Sequence, residues 1–147
     1  PGTVGLVITD SDYGVPSKTL VDTVQEAIDP VQNKGEGLGL APIDHEVSVE
    51  AVTGTEINIS AKLEFANGWT LEKCMPYITE TLDSYYRELN AAWGGESSLT
   101  VRILQIESRI LELEGITDIS DTKINGSSRN IELSEDSIAV RGEFSNA

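Results

Sequence analysis

The first residues in the chain that could do chemistry form the acidic turn Asp10-Ser11-Asp12-Tyr13-Gly14. Alternating carboxylates followed by a glycine are typical of the start of a calcium-binding loop. The third ligand is absent at the required offset, and Val21 stands where such a loop needs its final glutamate. Turn formation, and the favourable effect of negative charge near the start of a following helix, therefore explain these aspartates without a metal.

Metal ligation or nucleophilic catalysis would need partners for the single histidine, His45, and the single cysteine, Cys74. Neither has a second His or Cys, or a paired Asp, at ligand spacing. We expect His45 to lie at the entry to a strand, and Cys74 to be a small buried hydrophobic residue without a disulfide. Ser and Thr are abundant, but none has a His at a motif spacing. The sequence predicts no catalytic residues, no cofactor and no metal.

A glycine-rich segment, Gly35-Glu36-Gly37-Leu38-Gly39, has the composition of a nucleotide-binding loop. Such a loop follows a strand and opens a helix at its last glycine. Here a predicted helix precedes the glycines and Ala41-Pro42 follows them, so we predict a connector.

The loop from Thr9 to Val15 contains no arginine, which acylphosphatase-type enzymes use at that place to bind phosphate. We therefore predict that the chain is not an enzyme.

Composition excludes several classes of partner. The 147 residues include 25 acidic and 10 basic side chains, for a formal charge of −15. This charge repels phosphate backbones, and no basic stripe interrupts it, so we expect no nucleic-acid partner. No run is long and apolar enough to cross a membrane, and no signal peptide precedes the first predicted strand, so we expect no membrane partner. Because the chain starts at Pro1 and its one methionine is Met75, we expect a fragment of a longer protein.

The elements that would position these residues are organised around the segment Glu46–Phe65. Apolar and polar residues alternate strictly along it, with a short break at Thr53-Gly54-Thr55. This period of two predicts two half-buried strands in a hairpin-like pair, each with one apolar face. The apolar set is Val47, Val49, Ala51, Ile57, Ile59, Ala61, Leu63 and Phe65.

Helices and further strands flank this segment. Apolar spacing of three and four predicts a helix that starts near Pro16 and ends at Asp29-Pro30, a second with Thr70 as its N-cap, and a third over about Val101–Leu113. Pro76 lies within the second helix, so the helix begins near it or its first turn is kinked. The other predicted strands are Gly2–Ile8, Ile116–Ile124 and Ser137–Phe144, with a tight Asn125-Gly126 turn between the last two.

The resulting fold class is α+β with the order β-α-β-β-α-α-β-β. One arrangement is a small two-layer, ferredoxin-like sandwich, with a mainly antiparallel sheet and helices on one face. Alternatively, Gly54 marks a boundary between two modules, 1–53 and 54–147. The predicted core places Ile57, Ile59, Leu63 and Phe65 beneath Ile78, Leu82, Ile106 and Ile110. The strand Ser137–Phe144 should form an exposed sheet edge that pairs with one sequence-adjacent strand.

Several segments, taken in order, resemble the baseplate J-like proteins of contractile-tailed phages and prophages. They are Gly2–Asp12 (GTVGLVITDSD), Val15–Pro30 (VPSKTLVDTVQEAIDP), Gly35–His45 (GEGLGLAPIDH), Val52–Ala61 (VTGTEINISA), Gln105–Leu111 (QIESRIL) and Gly115–Gly126 (GITDISDTKING). Each motif alone is unspecific, whereas their order and spacing are specific. The resemblance covers nearly the whole chain and corresponds to the C-terminal part of such a protein.

The resemblance implies a structural role as a wedge component of the tail baseplate. Its implied partners are other baseplate and tail proteins, and copies of itself around a central hub. Its implied location is the virion tail baseplate, after a period in the bacterial host cytoplasm. The family has no catalytic residues to carry over. It also implies that 1–53 is the end of a middle domain and 54–147 a C-terminal domain. The alternative function is a ferredoxin-like small-molecule-binding or regulatory domain.

Overall fold

A computed structural model describes residues 2–96 and 98–147, and the chain divides into two compact units. The N-terminal unit is Pro1–Thr53 and the C-terminal unit is Gly54–Ala147. Their helices and strands together make the fold α+β.

The N-terminal unit is a single β-α-β crossover. Strand β1 is Gly2–Ile8, helix α1 is Lys18–Ile28 and strand β2 is His45–Ala51, with a short 3-10 helix at Val31–Asn33. The Ser17 hydroxyl caps α1 by accepting from the backbone N–H of Leu20 at 3.1 Å. This bond satisfies one of the amides that have no partner within the helix.

Strands β1 and β2 pair in parallel, with Val4 opposite Val47 and Leu6 opposite Val49. Helix α1 covers β2 far better than β1. The paired residues show this, since Val47 on β2 is 7% exposed and Val4 on β1 is 47% exposed. The core of this unit is the buried cluster of Ala41, Val47 and Val49 with Ile8, Val21, Val24 and Ile28 packed against it.

The C-terminal unit is larger and centres on a long strand. Its elements are β3 (Thr53–Phe65), α2 (Leu71–Ala91), a 3-10 helix (Trp93–Gly95), β4 (Thr100–Val101), α3 (Ile103–Leu111), β5 (Ile116–Ile124), β6 (Ile131–Glu132) and β7 (Ser137–Asn146). One sheet has the order β5-β3-β7, and β4 pairs with β6 in a second, two-stranded sheet. The predicted N-cap of α2 is confirmed, since the Thr70 hydroxyl accepts from the backbone N–H of Lys73.

Strand β3 has partners on both sides. Strand β5 is antiparallel to it, with Leu63 opposite Ile119. On the other side, the N–H of Glu143 donates to the Asn58 side chain at 2.8 Å, and the N–H of Leu63 donates to the Asn146 side chain at 3.0 Å. Because both contacts advance in the same direction, β7 runs parallel to β3.

The core of the C-terminal unit uses the predicted residues with one exception. Ile57, Ile59 and Leu63 of β3 are buried, and so are the four predicted helix residues, Ile78, Leu82, Ile106 and Ile110. Phe65 is only half-buried. A shift in the β3–β5 register between Glu64 and Phe65 interrupts the alternation there.

The predicted hairpin-like pairing of the two alternating segments is wrong. Strand β2 pairs with β1, whereas β3 pairs with β5 and β7. Only Val52 separates β2 from β3, and a tight hairpin needs about two loop residues. Thr53-Gly54-Thr55, predicted as a break, is the start of β3. The ferredoxin-like arrangement is not found, because the predicted strands divide between separate sheets.

Other differences are local. Strand β7 pairs with β3 and not with a strand adjacent in sequence. Helix α3 is shorter than predicted, because Thr100–Val101 pairs with β6 and the helix starts only at Ile103. Helix α2 passes through Pro76 in its second turn. The two-residue strands β4 and β6 are too short to produce a period-two pattern.

Candidate assembly surfaces

The acidic turn before α1 uses its carboxylate for backbone contacts. The Asp10 Oδ1 atom accepts from the N–H of Asp12 at 2.9 Å and from the N–H of Gly14 at 2.8 Å. The backbone reverses through a positive φ of 60° at Tyr13. This is the side-chain turn by which aspartate substitutes for a backbone acceptor.

His45 and Cys74 differ in their exposure to solvent. His45 is the exposed first residue of β2, and its Nδ1 lies 3.2 Å from the carbonyl oxygen of Ile43. Cys74 is buried in α2, and burial raises the pKa of its thiol. In residues 2–96 and 98–147, no three His, Cys, Asp or Glu side chains are grouped so that they could hold a metal ion.

The glycine-rich connector between α1 and β2, residues 30–44, folds back onto the end of α1. The N–H of Leu40 donates to the carbonyl of Ala27 at 3.1 Å, and the N–H of Ala41 donates to that of Ile28 at 2.9 Å. These bonds satisfy carbonyls that have no partner within the helix. A Cβ at Gly39 would lie 2.5 Å from the Ile28 oxygen, so the close approach requires glycine.

A second set of bonds ties the same connector to a buried carboxylate. Asp29 is 1% exposed, and its Oδ1 accepts from the N–H of Gly35 at 3.1 Å. The carbonyl of Gly35 in turn accepts from the N–H of Asp44 at 2.7 Å. The connector is therefore held at several points along its length by α1 and by its own backbone.

This ordered connector displays large apolar side chains. Leu40 is 83% exposed, Ile43 is 67% exposed and Leu38 is 66% exposed, and Val31 nearby is also exposed. We call these four residues the connector surface. Several large apolar side chains exposed on one ordered segment are characteristic of a contact site for another macromolecule.

The outer edge of β2 is closed by polar side chains of the N-terminal unit. The Gln25 side chain donates to the carbonyl of Val47 at 2.8 Å and accepts from the N–H of Val49 at 2.8 Å. The Asp29 Oδ2 atom accepts from the N–H of Val47 at 2.9 Å. The two side chains take the place that another strand would occupy, so no backbone can pair with this part of β2.

In the C-terminal unit, the side chains of two asparagines also bond to backbone groups at strand edges. Asn90 donates to the carbonyl of Ala139 and accepts from its N–H, each at 2.9 Å. Asn125 donates to the carbonyl of Glu56 at 3.1 Å and accepts from the N–H of Asn58 at 2.8 Å. Asn125 also makes the predicted turn, with φ of 50° there and 80° at Gly126.

Strand β7 lies at an edge of its sheet, but only part of it is exposed. Ser137, Ile138 and Ala139 are buried, and Asn90 occupies both backbone groups of Ala139. Exposure begins at Val140. The prediction that the whole strand from Ser137 offers a free edge is therefore wrong for its first three residues.

Among the described residues, several concave surfaces are open to solvent. One, of about 500 Å³, lies in the N-terminal unit and includes Lys34, Glu36, Asp44 and Glu46. Another, of about 450 Å³, lies in the C-terminal unit beside Glu56 and Glu143. Separately, the helices among the described residues include none with the length and apolar character of a membrane span.

Sequence reasoning did not find the amide and carboxylate side chains that close the strand edges. The available signal was a polar residue on an apolar helical stripe. Gln25 lies four residues after Val21 and three before Ile28, and Asn90 lies four residues after Tyr86. Such a position is expected to be buried, and a buried polar group needs hydrogen-bond partners.

Comparison with known families accounts for both units. Residues 57–146 match the family described as Baseplate J-like protein C-terminal domain. Residues 1–51 match the family described as Baseplate J-like central domain. The interval between the two matches contains the boundary between the two compact units.

Two relatives from Bacillus subtilis (strain 168) are similar over almost the whole chain. The phage-like element PBSX protein XkdT is 29% identical over 142 residues, which cover 97% of this chain. The uncharacterized protein YqbT is 28% identical over 151 residues, again covering 97% of this chain. In both cases the chain spans only 39% of the relative's own length.

Proposed function

Because the chain belongs to the baseplate J-like family, we propose that it is a structural part of a phage or prophage tail baseplate, a wedge protein that acts by protein–protein assembly and not by catalysis. Both units match this family, in the family's order. We also propose that 1–53 is the end of the middle domain and that 54–147 is the C-terminal domain.

The observation that best supports an assembly role is the connector surface. Its backbone is fastened to the end of α1 by the bonds from Leu40 and Ala41, while the side chain of Leu40 is 83% exposed. An ordered loop loses little conformational freedom when a partner binds, so more of the apolar contact contributes to affinity. Such a surface suits a permanent contact in a large assembly.

The overall charge suits the same role. A formal charge of −15 makes separate copies repel one another before assembly, and this discourages premature association through apolar residues. We propose that other baseplate and tail proteins, and copies of the longer protein around a central hub, provide the contacts. The protein would then pass from the host cytoplasm to the virion baseplate.

A charge placed on the connector surface tests this proposal. We would introduce Leu40→Lys into the full-length protein in a host that produces the tail particles, with Leu104→Lys as the matched control. Leu104 is also a highly exposed leucine, at 74%, but it lies on α3 in the other unit. We expect both variants to keep the parental melting temperature, because neither side chain is buried.

The readout is electron microscopy of purified particles. Leu40→Lys should reduce the yield of complete baseplates at least tenfold, since it places a hydrated charge in an apolar contact, while Leu104→Lys should assemble normally. Normal baseplates from a variant with both Leu38→Lys and Leu40→Lys would show that the connector surface is not an assembly contact.

A further inference from the structure

The two edges of the small parallel sheet in the N-terminal unit differ. On the β2 side, Gln25 and Asp29 occupy both outward-facing backbone groups of Val47 and the outward-facing N–H of Val49. Because backbone groups of successive residues point to alternate sides of a strand, the intervening residue Ser48 faces β1. The β2 side of the sheet is closed over this length.

The same alternation shows which residues of β1 face outward. At one end of the pair, the N–H of Gly2 donates to the carbonyl of Asp44 at 3.0 Å. At the other end, the N–H of Val52 donates to the carbonyl of Ile8 at 2.9 Å. Gly2, Val4, Leu6 and Ile8 therefore direct their backbone groups toward β2, and Thr3, Gly5 and Val7 direct theirs away from it.

These outward groups form an open edge. Among residues 2–96 and 98–147, no hydrogen bond joins the N–H or C=O of Thr3, Gly5 or Val7 to a side chain or to a strand on that side. A Cβ built on Gly5 would meet nothing within 4 Å, so the face of the sheet above this residue is open as well. In the part of the chain that the structure describes, β1 therefore has a strand partner on its β2 side alone.

The side chains of β1 are also incompletely covered. Val4 and Leu6 lie on the face of the sheet that carries the buried Val47 and Val49, yet both are exposed. No residue from Gly2 to Ile8 is charged. Parallel sheets occur almost only with both faces covered, and natural edge strands usually carry a charge or a proline that prevents pairing.

We infer that the outer edge of β1 pairs with a further β-strand, supplied by the part of the longer polypeptide that lies outside these 147 residues. The chain spans 39% of the length of each relative, so most of the relative's chain lies outside the matched region. A strand from the same polypeptide is present at a high effective concentration. A second copy would instead bring another charge of −15 beside the first.

This inference rests on the edge geometry and does not depend on the role in a baseplate. The added strand would accept and donate through the six backbone groups of Thr3, Gly5 and Val7. Its apolar side chains would cover Val4 and Leu6. The strand itself would have to be uncharged on the covered face, because β1 offers no charge to pair with it.

Residue-resolved hydrogen exchange tests the pairing directly, in the 147-residue chain and in the longer protein. In the shorter chain we expect the amides of Thr3, Gly5 and Val7 to exchange rapidly, while those of Val4 and Leu6 are protected by β2. In the longer protein the three outward amides should exchange at least about 100-fold more slowly than in the shorter chain. Equal rates for these amides in the two proteins would overturn the inference.

A pair of substitutions provides a second readout. Val4→Lys and the control Leu111→Lys replace side chains that are 47% and 43% exposed in the shorter chain. In that chain the two should lower the melting temperature to a similar, small extent. In the longer protein only Val4→Lys should lower the melting temperature strongly.

Hydrogen exchange at several protein concentrations separates the two possible sources of the added strand. Protection of the outward amides that grows with the concentration of the shorter chain would assign the edge to a second copy and reject our assignment.

Discussion

Replacing Tyr86 with phenylalanine should stabilise the C-terminal unit. Tyr86 is 3% exposed, and within the described residues its hydroxyl has no hydrogen-bond partner. A buried hydroxyl without a partner has lost its bonds to water and gained nothing in return, at a cost of about 1–3 kcal/mol. Phenylalanine keeps the ring and removes that cost. We therefore expect the free energy of unfolding to rise by up to about 1–3 kcal/mol.

The adjacent Tyr85 is the matched control with the opposite expected sign. Its hydroxyl accepts from the backbone N–H of Arg102 at 3.0 Å, just before α3. Tyr85→Phe leaves that N–H without its acceptor, so we expect a loss of about 0.5–1.5 kcal/mol. The guanidinium of Arg109 lies 4.9 Å from the centre of the Tyr85 ring, a contact that phenylalanine retains.

Alkaline pH provides a second test of the same site. Burial, with smaller effects from Tyr85 and Asp83, raises the pKa of Tyr86 above its usual value, which is about 10. Below about pH 10 the Tyr86 hydroxyl is protonated in both the folded and the unfolded chain, so its ionisation does not change the free energy of unfolding there. Above about pH 10 Tyr86 ionises in the unfolded chain first, and the free energy of unfolding falls by about 1.4 kcal/mol per pH unit.

Urea denaturation at pH 7 and at several values above pH 10 measures both effects. Tyr86→Phe should raise the midpoint at pH 7 and lose stability more slowly than the parent above pH 10. The contribution of Cys74, whose thiol pKa is also raised by burial, is common to both proteins and cancels in the comparison. A loss of stability at pH 7 similar to that of Tyr85→Phe would refute the reasoning, because it would mean that the Tyr86 hydroxyl makes a bond that matters.

Two further predictions concern the core and the acidic turn. Leu82→Ala should lower the free energy of unfolding by about 2–5 kcal/mol, because Leu82 is 2% exposed; a change near zero in a denaturant melt would reject its place in the core. Calorimetric titration with calcium and zinc should show no micromolar binding, since the Asp10 carboxylate already accepts two backbone bonds. The chain should show no hydrolase activity, because its single histidine and single cysteine have no partner at a motif spacing. Micromolar binding that Asp10→Ala or Asp12→Ala removes would contradict this prediction.

Local signals in the sequence predicted elements well. The bounds of β1 and β5, the Thr70 cap and the turn at Asn125-Gly126 agree with the structure. Each depends on residues close together in the chain: an alternating pattern, a hydroxyl before a helix, or two residues that tolerate positive φ. The α+β class follows from the same signals.

Strand partners were not predictable in the same way. Alternation in Glu46–Phe65 shows which side chains share a face, but it does not show which strand lies alongside. The single residue between β2 and β3 prevents a hairpin, and the true partners of β3 are found only after residue 115. The closing of strand edges was missed for a similar reason. Gln25 and Asn90 are recognisable as polar residues on apolar stripes, whereas their acceptors and donors are distant in sequence.

The central position of β3 has a consequence for the time at which the C-terminal unit can fold during synthesis. Strand β3 leaves the ribosome before either of its neighbours, since β5 begins at Ile116 and β7 at Ser137. At about 5–20 residues per second, several seconds pass before both neighbours are available. Throughout that interval the apolar face of β3, with Ile57, Ile59 and Leu63, has no sheet partner. The nascent chain would therefore depend on α2, the next element made, or on a chaperone to cover this face.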